Sequence, residues 1–273
     1  MISTSGDCRL TLPFDRRRKD QLVFPASYNT ESPVVMALVI RRYRPSDKDT
    51  VLTLFSTCTR EHISPCFFNA MKSFYHFSVI VALLNAGYHL GSVFAAVLLP
   101  AAWTGLVYFS CYIHYDGFVR LKLNSDMADI VGSFLSRPDD CFWVAEVEGK
   151  GQVVGMVAVV AKQSGKERYG ELFRMIIAPE FRRAGLGSRL TETVLAFSKE
   201  RGFSKVMLDT SSTQQPAVAL YKKLGFRLVL ERPDWTVWMS RIKILRMEKH
   251  LVKIDRPNIK LHSRKCKWIL KNL

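Results

Sequence analysis

The residues best suited to chemistry lie between Glu171 and Phe226, and at their centre is Arg182-Arg183-Ala184-Gly185-Leu186-Gly187. The apolar run Leu172-Phe173-Arg174-Met175-Ile176-Ile177 reads as a strand entering that turn. Leu186, Leu190, Val194 and Phe197 share one face of a helix that leaves it. Strand, glycine turn and helix make a phosphate cradle. Glycines let the backbone approach a ligand closely, and the unpaired N–H groups of a helix's first turn point at an anion. The two arginines add charge, so the pattern predicts a nucleotide-bearing ligand. The chain has no G-x-x-x-x-G-K-[ST], which argues against a P-loop nucleotidase. It also lacks the first glycine of a dinucleotide fingerprint.

The elements around the cradle alternate. Leu38 to Tyr43 reads as a strand, and Ser46 with Asp49 reads as a capping signal for a helix carrying Val51, Leu54, Phe55 and Cys58, which ends near Glu61-His62. Asp126 to Leu135 reads as a second helix. Phe142–Val147 and Val153–Val159 read as a hairpin around Glu148-Gly149-Lys150-Gly151. After the cradle come a strand at Lys205–Asp209 and a helix from Pro216 with Ala217, Leu220, Tyr221 and Leu224 on one face. Gly225 closes that helix, and two last strands are expected at Phe226–Leu230 and Thr236–Met239. This order predicts an α/β domain with one mixed sheet and flanking helices.

Three segments stand outside that pattern. Residues 1–36 hold three prolines without periodicity and read as a flexible extension. From Ser73 to Tyr115 there is no Asp, Glu, Lys or Arg, and the run is broken at Asn85-Ala86-Gly87 and Pro100. A membrane span needs about 20 apolar residues, so this length suits two crossings or a re-entrant hairpin. Lys72 on one side and Arg120 with Lys122 on the other place both ends in the cytosol by the positive-inside bias. The expected division is therefore 37–66 for the first strand and helix, 67–118 for a membrane insert that interrupts the domain near its start, and 119–240 for its core.

Residues 241–273 carry eleven Lys or Arg against two acids, within a net charge of +16 for the 273-residue chain. Ile244, Met247, Leu251 and Ile254 recur there near helical spacing, as an interfacial helix on anionic lipid requires; a solvated basic tail is the other reading. No nucleic-acid-binding motif accompanies the charge, which argues against that partner. The six cysteines form no CxxC pair and no zinc spacing, so reduced thiols and no metal are expected.

Taken together, Arg42-Tyr43-Arg44-Pro45-Ser46-Asp47, Glu61-His62, the uncharged insert, Cys141–Glu146, Val153–Val157, the cradle and Ala217-x-x-Leu220-Tyr221-Lys222-Lys223-Leu224-Gly225-Phe226 resemble a GNAT-superfamily N-acetyltransferase. Within it the chain is most similar to the camello-like, or N-acetyltransferase 8, family. The resemblance implies acetyl-CoA as donor. It places the pyrophosphate on the cradle amides of Arg183, Ala184, Gly185, Leu186, Gly187 and Ser188, with Arg182 beside them in the cofactor site, and the pantetheine arm along Met175, Ile176 and Ile177.

It further implies that Tyr221 gives a proton to the departing thiolate and that Glu171 is the general base. A core-facing aromatic and an ordinary strand-end acid are the bland alternatives. Gln214 stands where many superfamily members have an asparagine on the pantetheine. Arg174 is a candidate for a substrate carboxylate, or for pairing with Glu171 or Glu180. His62 lines the acceptor pocket or caps its loop. The family acetylates small amino-acid-like amines such as cysteine S-conjugates, and protein lysines have been proposed. A catalytic domain on the cytosolic face of the endoplasmic reticulum is then expected. A degenerate CoA-binding membrane adaptor would bind acetyl-CoA without turnover.

Overall fold

A computed structural model describes residues 21–22, 36–234, 240 and 242–251. Its strands are β1 (Gln21–Leu22), β2 (Met36–Arg42), β3 (Cys141–Val147), β4 (Val153–Ser164), β5 (Glu167–Ile177), β6 (Lys205–Ser211), β7 (Arg227–Pro233) and β8 (Lys243–His250). They form one sheet in the order β1-β2-β3-β4-β5-β6-β8-β7. Every pairing is antiparallel except β5 with β6, which is parallel. Helix α6 (Leu186–Glu200) is the crossover between those two parallel strands, as parallel neighbours require.

Strands β3 and β4 are buried on both faces, which is why their sequences are continuous apolar runs rather than alternating ones. On one face Leu186, Leu190, Val194 and Phe197 of α6 pack on Trp143, Val157, Leu172 and Leu208. Tyr221 of α7 (Gln215–Lys223) belongs to the same cluster. On the other face Val51 and Phe55 of α1 (Lys48–Arg60) and Ile130 and Phe134 of α5 (Ile130–Phe134) pack on Phe142, Val144 and Met156. Arg41 of β2 fastens the start of α1 by bonding both carboxylate oxygens of Asp47 at 2.7 and 2.8 Å.

Helix α2 (Ile63–Met71) leads into a hairpin of α3 (Phe74–His89) and α4 (Val93–Leu123). The two helices touch at Gly87, where a Cβ would fall 2.3 Å from the Ala96 Cα. Their outward surface is apolar: Phe74 is 82% and Phe94 81% exposed. The 31 residues of α4 have a mean hydropathy of 1.7 over a window that is 6% buried, long and apolar enough to cross a membrane. At the rise of an α-helix α4 spans about 46 Å, while the 16 residues of α3 reach about 24 Å, short of a hydrocarbon core of about 30 Å. The C-terminal half of α4 is tied to α1, since Asp116 accepts from Arg60 at 2.8 Å, while Arg120, one turn further along α4, bonds the same carboxylate at 2.7 Å.

Three expectations change, and one proline proves to lie inside a helix. The helix expected over Asp126–Leu135 shrinks to α5, because the Asp129 carboxylate caps the Gly132 N–H at 2.8 Å and starts it late. Asp47 rather than Ser46 precedes α1, its side chain accepting the Arg44 N–H at 2.8 Å. Pro65 lies within the first turn of α2, where its missing N–H costs nothing. Residues 243–250 are strand β8, not an amphipathic helix. They pair with β6 on one side and β7 on the other, burying Met247, so the sheet continues past residue 240. So short an apolar run does not by itself separate helix from strand, and two neighbouring strands decide it. The strand expected at Thr236–Met239 and the end of the tail lie outside the described residues.

Candidate active site

Strands β5 and β6 pair at only two positions, Gly170 with Val206 and Glu171 with Met207. Beyond them β5 runs on to Ile177 and β6 to Ser211 without further pairing, so the sheet opens into a wedge with Glu171 at its apex. A β-bulge drives the separation. The register of β4 against β5 slips between Met156 and Ala158, and Arg174 opposite the slip has φ of 54°. A bulge bends its strand and strengthens the local twist. The unpaired edge at Met175, Ile176 and Ile177 is a template for an extended, amide-bearing ligand.

The cradle closes the wide end of the wedge. After Ile177 a single 3-10 turn, Pro179–Phe181, leads to Arg183 at φ 65° and Gly185 at φ 81°, the latter being the residue before α6. No described side chain caps α6, so its first-turn N–H groups remain open to an anion. Gly187 has a packing role: a Cβ there would lie 2.9 Å from Leu220 Cδ2 and 3.2 Å from Ile177 Cδ1. Its hydrogen lets α6, α7 and β5 meet. Valine at Gly185 needs a left-handed backbone that a β-branched residue resists by about 1–3 kcal/mol. Gly185→Val is expected to weaken acetyl-CoA binding about tenfold or more, measured by calorimetry. Arg182 serves structure here, donating to the Ile177 carbonyl at 3.0 Å and to Glu61 at 2.7 Å.

Glu171 and Tyr221 lie on opposite faces of the sheet. Leu172 packs in the α6 cluster together with Tyr221, and side chains alternate along a strand, so Glu171 faces the other way. Burial raises the Glu171 carboxyl above the usual range; nearby Lys162 and Arg246 pull it back and Asp209 pushes it up. Burial likewise holds the Tyr221 phenol well above its ordinary value, and the ring packs edge-on to Phe226 at 5.6 Å. Gln214 precedes α7, and its side-chain oxygen accepts from Thr210 at 3.0 Å, while its nitrogen has no hydrogen-bond partner among the described residues.

On the far side of the wedge the α1–α2 corner brings His62 near the cradle. Its ring lies 6.0 Å from that of Tyr115. Burial and the charge of Arg182 lower its pKa, so it is neutral at pH 7. Arg174 pairs with Asp126 rather than with Glu171 or Glu180, and its guanidinium stacks 5.5 Å from the Phe55 ring. Its Nε is buried without a partner. That part-buried ion pair holds the left-handed residue of the bulge in place. Asp126, which nothing in the spacing marks, is thus a residue that sequence reasoning missed. Removing it strands a mostly buried charge, which in fully buried pairs costs about 3–5 kcal/mol. Asp126→Ala is expected to lower the thermal midpoint in detergent while Asp139→Ala, at an exposed pair, does not.

A wedge between two parallel strands, a glycine cradle at its mouth and a bulged edge strand define the GNAT acetyltransferase class. Residues 108–226 match the Acetyltransferase (GNAT) family. The fold is similar to that of a GNAT-family acetyltransferase from Staphylococcus aureus, with a TM-score of 0.50 at 15% identity over 79% of this chain and 100% of that one. The chain is also 35% identical over 196 residues to N-acetyltransferase 8B of Homo sapiens, covering 69% of this chain and 83% of that one. It is 33% identical over 196 residues to the probable N-acetyltransferase camello of Xenopus tropicalis, covering 69% and 85%. The chain therefore belongs to the camello-like, N-acetyltransferase 8 family, and it is an acetyl-CoA-dependent N-acetyltransferase. Among the described residues no cluster of His, Cys, Asp or Glu is arranged to hold a metal.

Proposed function

We propose that this protein is a membrane-anchored enzyme that acetylates the α-amine of small amino-acid-like acceptors, with Glu171 as base and Tyr221 as acid. The observation that carries this reading is the wedge between β5 and β6, with those two groups on opposite faces of the sheet that it splits. Acetyl-CoA supplies an activated acetyl thioester. Its phosphates suit the open amides from Arg183 to Ser188, and its amide-bearing arm suits the free edge at Met175–Ile177.

Glu171, its carboxyl raised above the usual range by burial, is matched to taking a proton from an ammonium, directly or through water. Tyr221 keeps its proton at neutral pH and offers it on the face where the thiolate departs. Between acceptors, an α-amine sheds its proton more readily than a lysine side chain of ordinary pKa about 10.4, which asks less of a single half-buried carboxylate.

The exposed apolar surface of α3 and α4 supports the anchor, and the charges flanking it support a cytosolic catalytic domain. The endoplasmic reticulum fits such a protein. Sealed vesicles test this: with acetyl-CoA outside, α-amino acids are expected to be acetylated well ahead of lysine peptides. Activity that appears only after the vesicles are opened would overturn the orientation.

A further inference from the structure

Helices α2 and α4 meet along a buried seam that acetyl transfer does not use. Ile63 and Cys66 of α2 cluster with Cys111 and Tyr115 of α4, and one turn further Ala70 of α2 meets Val107 of α4. Positions 63, 66 and 70 lie on one face of α2, and positions 107, 111 and 115 on one face of α4, so the two helices run antiparallel. The side chains at the middle of the seam are small, which lets the helices approach closely.

There two thiols face each other. The Cys66 thiol donates to the Cys111 sulfur at 3.1 Å, and both side chains are fully buried. Both are free cysteines. They stand 45 residues apart in the chain, and the segment between them holds all of α3 and more than half of α4. Cys58 is placed differently, its thiol turned to the Ile177 carbonyl at 3.9 Å.

A pair of thiols in contact has a chemistry that a single buried cysteine lacks. A disulfide needs its sulfurs at about 2.05 Å, so about 1 Å of movement separates this contact from the bond. Neither sulfur is open to solvent, which disfavours a bulky disulfide as oxidant and favours a hydroperoxide, hardly larger than water.

We infer that Cys66 and Cys111 are a redox-active pair, oxidised by a hydroperoxide to a disulfide that clasps α4 to α2 at the base of the apolar hairpin. One sulfur attacks a peroxide oxygen and breaks the O–O bond, giving a sulfenic acid and one water. The second sulfur then attacks the sulfenic sulfur, forming the S–S bond and releasing a second water. Two electrons pass from the thiols to the peroxide, and both thiol protons end in water. Because α2 begins directly after His62, the bond also holds the α1–α2 corner of the active site against the membrane helix. Dithiols reverse it.

The test needs no turnover, so it stands apart from the choice of amine acceptor. The full chain in detergent is treated with hydrogen peroxide, denatured in an alkylating reagent and mapped by mass spectrometry. One peptide pair joined through Cys66 and Cys111 is expected, lost with dithiothreitol, with Cys58 and Cys141 left unjoined. The oxidised chain should melt several degrees higher than the reduced one, since the bond closes a long loop in the unfolded state. Cys66→Ala and Cys111→Ala should each abolish that rise, and oxidised glutathione should join the pair far more slowly than the peroxide. Thiols that remain alkylatable after peroxide, or that pass to sulfinic acids without joining, overturn the inference. A rise in the midpoint that survives in Cys66→Ala does the same, and joining that is as fast with oxidised glutathione overturns the hydroperoxide. The peptide map is read on the unaltered chain, so it decides the matter even where a variant fails to fold.

Discussion

Tyr221→Phe is expected to lower kcat roughly 10²-fold while leaving the KM for acetyl-CoA nearly unchanged, since a positioned general acid contributes about 10²–10⁴-fold. The reason lies in what the substitution spares. The ring is a core residue, packed with Leu190, Leu208 and Phe226, and phenylalanine fills the same volume. Among the described residues the hydroxyl has no hydrogen-bond partner, so its removal strands nothing. The thermal midpoint should therefore hold while the rate falls. Steady-state kinetics on detergent-solubilised protein, alongside a melting curve, checks both. An unchanged kcat would make Tyr221 a packing residue and nothing more.

Glu171→Gln carries the second large effect, and it separates activity from stability through pH. The base works only as carboxylate, so kcat/KM should fall as pH drops through a pKa lying above the ordinary glutamate value. Glutamine should cost about 10²-fold at neutral pH and remove that acidic limb. Stability moves the other way. Burial raises the folded-state pKa, so the folded chain tolerates ionised Glu171 less well than the unfolded chain does. The stabilisation that comes with the protonated form is complete below the unfolded pKa of about 4.3 and is lost as pH rises through the folded value. Glu171→Gln should thus melt higher than the unaltered chain at pH 7, with the gap closing towards pH 4. Paired melting curves at the two pH values decide the point; a variant less stable at pH 7 would mean that Glu171 holds the strand apex together.

Much of the fold is legible in the sequence because its signals are local. The cradle glycines, the apolar runs of β3 and β4 and the helical stripe of α6 each form the element that their pattern predicts. The uncharged run forms a helical hairpin with an apolar exterior. Features that depend on distant partners are hidden. Ile244 and Met247 fit a helix until β6 and β7 claim their backbone from both sides. Arg174 reads as a cation for a substrate carboxylate, or for Glu171 or Glu180, because its partner, Asp126, lies 48 residues earlier in the chain and is brought to it only by the fold. The bulge that makes the wedge has no glycine to announce it, since the left-handed residue is that same arginine. Lys72 reads as a membrane-flanking charge, and its place beside the β6–α7 loop follows from how α2 packs.

The central claim is that the wedge carries out acetyl transfer. The most direct measurement follows CoA release and acetylated product together, using full-length protein in membranes, saturating acetyl-CoA and a panel of S-benzylcysteine, aspartate and a lysine peptide. The expected result is CoA and N-acetyl product in equal amounts with at least one α-amine, and little with the peptide. Acetyl-CoA that binds tightly yet acetylates no amine in the panel would contradict the claim, and would leave a CoA-binding membrane adaptor in its place.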